Sequence, residues 1–186
     1  MGPVGLDPAV WLAAVPPARI PRAARKAAKR LWAASGLTPG PGEVRHYAGV
    51  LEFVLEGYPQ IHPELGLHFH IENPRENPLA VFTGRFAPAA DPSAQVRTLT
   101  CADDIEHAVE PHRVEEFAAP HLGTGLRVLR HYADPDHGVI TALRYAWHIP
   151  ERDAVVLLKT SEPDPPRVLR ALDDIDAFAR TLRLTA

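Results

Sequence analysis

Between Val139 and Ile149 the side chains sort by twos. Val139, Thr141, Leu143, Tyr145 and Trp147 share one side, while Arg144 and His148 lie on the other. Successive side chains of a strand point to opposite faces, so this spacing predicts a strand with Tyr145 and Trp147 turned inward. Leu126–Tyr132 predicts the strand before it, with Asp134-Pro135-Asp136-His137-Gly138 as the turn between them. Pro150–Asp153 then reverses the chain into Ala154–Thr160. That run is apolar on both sides, as expected near the centre of a sheet with a further layer over it. A helix closes the stretch: Asp164 stands as its N-cap ahead of Pro165-Pro166, and Val168, Leu172, Ile175, Ala179 and Leu182 recur every three or four residues. Asp173, Asp174 and Asp176 are assigned to its wet face.

Upstream, Tyr47–Leu55, Gly66–Glu72, Leu79–Phe86 and Ala94–Thr100 read as strands, and Asp103–Phe117 as a polar helix kinked at Pro111. At the start, Asp7 caps a short helix over Pro8–Val15, which Pro16-Pro17 stops. Arg22–Ala34 is a strong helix former. Arg22, Arg25, Lys26, Lys29 and Arg30 form its basic face, and alanines with Leu31 and Trp32 its thin apolar side. Thr38-Pro39-Gly40-Pro41-Gly42 is a linker. The predicted organisation is a basic helical arm over 1–36 and a single α+β domain over 43–186, with an antiparallel sheet of six or seven strands and helices packed on it.

With 186 residues, the chain has room for one hydrophobic core. The single cysteine, Cys101, excludes an intrachain disulfide framework and a CxxC site, which fits a reducing compartment. No stretch has the form of a signal peptide or the length of a membrane span, so the expected location is cytoplasmic. Charge is uneven. Residues 1–34 carry six basic and one acidic side chain, while 35–186 carry fourteen basic and twenty-two acidic. An acidic body argues against general nucleic-acid binding by the main domain and leaves the basic helix as a separate question.

Tyr145-Ala146-Trp147-His148-Ile149-Pro150, Ala154 to Ser161, and the ending Ile175 to Leu182 resemble small actinobacterial proteins of unknown function. They are also similar to the ending of the Mog1/PsbP-like α/β/α sandwich, in which a late hairpin is followed by a helix packed across the sheet. The likeness covers about the last third of the chain and carries no catalytic motif. It implies a sandwich fold and an accessory, partner-binding role.

Candidate chemistry is sparse. His68, His70 and Glu72 alternate on one strand, with His62 just upstream. Two imidazoles and a carboxylate suit zinc or iron, given a further ligand and an open position; the competing reading is the polar side of an ordinary strand. Glu52, Glu56, His131 and His148 are candidates for acid–base pairs, and Cys101 for a nucleophile, although no family signature surrounds it. Gly123-Thr124-Gly125 precedes a strand, so it is no phosphate cradle.

The functional expectation is a non-catalytic protein-binding or accessory component without a cofactor. It docks on another protein or the subunits of an assembly, or forms a homo-oligomer, through the sheet and through Arg22, Arg25, Lys26, Lys29, Arg30, Leu31 and Trp32. The alternatives are a small metal-dependent enzyme built on His68, His70 and Glu72, and a nucleic-acid-associated accessory factor using the basic helix.

Overall fold

The computed structural model of the chain describes residues 11–13, 15–61 and 65–184. In chain order the elements are β1 (Trp11–Ala13), α1 (Ile20–Ala34), α2 (Glu43–Ile61), β2 (Gly66–His70), β3 (Leu79–Phe86), α3 (Pro92–Thr100), β4 (Arg113–Ala119), β5 (Gly123–Asp134), β6 (Gly138–Ile149), β7 (Ala154–Glu162), α4 (Pro165–Arg170) and α5 (Leu172–Thr181). Seven strands form one antiparallel sheet in the order β1-β2-β3-β7-β6-β5-β4, with helices packed on it. This is the α+β class that the alternation predicts. Among the described residues, no helix is long and apolar enough to cross a membrane. The residues fall into two compact units whose boundary lies within β3, between Val81 and Phe82.

In the unit that begins at Phe82, β5, β6 and β7 follow the expected hairpins. Tyr145 stands opposite Leu158, and Trp147 opposite Val156. Ala154, Val155, Val156, Leu157 and Leu158 are all buried, so β7 is covered on both faces. On one face Tyr145 and Trp147 stack with centroids 5.9 Å apart, and Phe117 of β4 meets Tyr145 edge-on at 4.9 Å. Ile175 and Phe178 of α5 are buried in this unit as well. Gly125 allows the close approach: a Cβ there would stand 2.2 Å from the Ala146 carbonyl oxygen. Elsewhere Val96 of α3, with Leu99, packs against Ala146 and Val155. β4 is an edge strand of the sheet, mostly exposed, with Arg113, Glu115 and Glu116 along it.

In the unit that ends at Val81, α1 lies along α2. Ala24, Ala27, Ala28, Leu31 and Trp32 of α1 are buried, as are Tyr47, Ala48, Leu51, Val54 and Leu55 of α2. Alanines at the contact let the two helices approach closely. The basic helix, whose packing the sequence leaves open, is packed on α2. Trp11 of β1 meets the His70 ring edge-on at 5.2 Å.

Several expected elements change type. Tyr47–Leu55 lies within α2, and the buried set 47, 48, 51, 54, 55 repeats at the helical interval. Ala94–Thr100 is the body of α3, which Asp91 caps by accepting the Ala94 N–H at 3.0 Å, with Pro92 in its first turn. Asp103–Phe117 is not a helix: turns lead from Cys101, which has a left-handed φ of 56°, to β4. The closing helix is two helices, α4 and α5, separated at Ala171. Asp164 gives α4 no side-chain cap; its backbone carbonyl accepts from the Arg167 N–H at 3.1 Å. Half of the helix expected over Pro8–Val15 lies outside the described residues, and Trp11–Ala13 within it is a strand.

Candidate docking surface

The basic helix holds its cations on one stripe. Arg22, Arg25, Lys26 and Lys29 sit at i, i+3, i+4 and i+7 of α1, and all four are exposed because the alanine side faces α2. Arg25 spends its Nε–H on the Pro21 carbonyl at 3.0 Å. Arg22, Lys26 and Lys29 make no ion pair among the described residues. Arg30 is half-buried. Leu31 and Trp32, expected as the apolar anchor of a contact, are buried at 5% and 4% exposure. They serve the helix pair instead. The Arg75 guanidinium lies 5.4 Å from the Trp32 ring and is paired with Glu43 at 3.3 Å. The Gly40 N–H, and then Arg75, hold the Glu43 carboxyl below its ordinary range.

Among the described residues, the exposed aromatic of this unit is Phe53, on the opposite side of α2 from its buried stripe and 75% exposed. It borders a cleft of about 780 Å³, lined also by Arg45, His46, Gly49, Val50 and Pro78. A second cleft of about 610 Å³ is lined by Arg25, Lys29, Val44, Arg45 and Glu52, and the two share Arg45 and Gly49. An apolar trough thus adjoins three cationic side chains. A strand over Tyr47–Leu55 puts Phe53 on one side with Tyr47, Leu51 and Leu55. A helical period over the same residues puts Phe53 opposite Tyr47, Leu51 and Leu55.

The proposed metal ligands divide differently. His68 and His70 are both buried, on one side of β2, and Glu72 is exposed beyond the strand end. Burial lowers the His68 imidazole to about 4. Among the described residues, no group of three or more His, Cys, Asp or Glu comes together to hold a metal ion, and His62 lies outside them.

The acid–base candidates do not converge. His131 Nδ1 is 2.7 Å from Thr141 Oγ1, and its Nε2 is 3.4 Å from Glu110, a partner that spacing could not supply. His148 lines a separate cleft with Glu116. Glu52 belongs to the α1–α2 cleft, and Glu56 lies farther along α2. Cys101 closes α3, with its Sγ 2.9 Å from Arg144 Nη1. Gly123-Thr124-Gly125 opens β5.

No family model, no curated protein and no solved structure matches the chain.

Proposed function

We propose that the chain is a non-catalytic docking protein whose α1–α2 unit receives an acidic, amphipathic segment of a protein partner. The observation that carries this reading is the adjoining pair of clefts, one apolar around the 75% exposed Phe53 and the other bordered by Arg25, Lys29 and Arg45. A partner helix lays its apolar side against Phe53, Val50 and Pro78, the arrangement by which grooves receive amphipathic helices. Its carboxylates meet the cationic stripe, which steers encounter and sets register. Aromatic and arginine side chains also dominate the energy of protein contacts, and both line these clefts.

The test is affinity capture from native extract with the full chain, a Phe53→Ser variant, an Arg25→Glu/Lys29→Glu variant and an Ile105→Ser control. Ile105 is exposed in the other unit. The reading requires a partner bearing an acidic segment, retained by the control and lost by both other variants. It fails if all four proteins recover the same partners, or if nuclease treatment abolishes capture.

A further inference from the structure

Above β4, β5 and β6, under α3, lies a cleft of about 450 Å³, within the size range of small-molecule sites. The strand registers build its floor. Glu116 stands opposite Leu126, and Leu126 opposite Ala146, so all three project to one face of the sheet. Thr124 and His148 lie two positions along their strands from Leu126 and Ala146, and therefore on that same face. Ser93, Val96 and Arg97 of α3 supply the roof at i, i+3 and i+4.

The charges in this cleft do not cancel. Arg97 is already spent: its Nε donates to Asp103 at 2.7 Å, and its Nη2 pairs with the other oxygen of the same carboxylate. Glu116 makes no ion pair, and His148 no side-chain hydrogen bond, among the described residues. What remains is one carboxylate, two hydroxyls and an imidazole, all able to accept N–H groups, beside apolar walls of Val96 and Leu126. An ammonium group supplies both the missing positive charge and several donors.

We infer that this cleft is a binding site for a small organic cation, a protonated amine carried on an apolar body. The ammonium sits against Glu116 with Ser93, Thr124 and His148 around it, and the hydrocarbon part covers Val96 and Leu126. This site is independent of the docking surface, since its lining residues all belong to the unit that begins at Phe82.

The probe is 2-phenylethylammonium, titrated into the isotope-labelled full chain and followed by NMR, with 2-phenylethanol as the uncharged control. The amine should shift resonances of Val96, Leu126 and His148, and should bind about tenfold more tightly than the alcohol, as a charge-assisted hydrogen bond implies. Glu116→Gln should remove that tenfold preference, so that amine and alcohol bind alike. Glu116 is exposed, so this isosteric change spares the fold. Equal affinity for amine and alcohol, an undiminished preference in Glu116→Gln, or no shifts in the cleft up to about 20 mM amine would each overturn the assignment.

Discussion

The Tyr145 hydroxyl donates to the Asp176 carboxylate at 2.5 Å. The other carboxylate oxygen accepts from Arg127 Nη1, also at 2.5 Å, and Arg127 in turn pairs with Glu115. Asp176 is 7% exposed, so the residue expected on the wet face of the last helix instead ties α5 to β5 and β6. Asp176→Ala leaves a buried hydroxyl and a half-paired guanidinium, and should cost about 3 kcal/mol. Tyr145→Phe removes one hydrogen bond and should cost about 1 kcal/mol. Urea melts of both single variants and the double variant will give the coupling. A coupling near zero would contradict a shared network.

The same contact makes stability fall at high pH. Burial, and then the hydrogen bond to Asp176, push the Tyr145 hydroxyl well above its ordinary value. The unfolded phenol ionises near about pH 10, so this contribution is whole below that pH and declines above it. The urea midpoint of the native chain should drop more steeply between pH 9 and 11 than that of Tyr145→Phe.

His68 acts at the acid end. Its imidazole is lowered by burial to about 4, against an unfolded value near about 6.5. Below pH 6.5 the unfolded chain takes up a proton that the folded chain refuses. Stability should therefore fall by up to about 3 kcal/mol between pH 6.5 and 4. A His68→Gln variant should show a flatter curve over that range. NMR titration that finds the ring protonating near 6.5 in the folded protein would refute it.

Gly125→Ala tests the close approach beneath Trp147. The added Cβ would lie 2.2 Å from the Ala146 carbonyl oxygen and 2.6 Å from Trp147 Cδ1. Backbone must shift to admit it, at a cost of about 3 kcal/mol, with a change in tryptophan emission. An unchanged melting temperature would mean that the strands are not so tightly apposed.

Trp32 and Phe53 should respond in opposite ways. Trp32 is buried, and Trp32→Ala should destabilise by about 3–5 kcal/mol. Phe53 is exposed, and Phe53→Ser should leave stability within about 0.5 kcal/mol. Thermal melts separate the two. A large loss for Phe53→Ser would show that its side chain is part of the packing.

The three late strands were legible because each stands on a regular alternation or a wholly apolar run. α2 was not, because its phenylalanine, tyrosine and valines suit strands as well as helices. The helical interval among Tyr47, Leu51, Val54 and Leu55 was the deciding signal. α3 carried its own start signals in Asp91 and Pro92, but Val96, Thr98 and Thr100 weigh toward a strand. In β4 only Phe117 and Ala119 are buried, too few for alternation to show among acidic neighbours. The burial of Asp176 could not be read from its own segment. It depends on Tyr145 and Arg127, 31 and 49 residues away in the chain.

β4 bears on how the molecule behaves in crowded solution. A second chain adding itself as another strand there must lay its backbone against Arg113, Glu115 and Glu116 and strip water from them. Templated growth into fibrils is therefore disfavoured from that side, and a concentrated preparation is protected there by the charges the strand already carries.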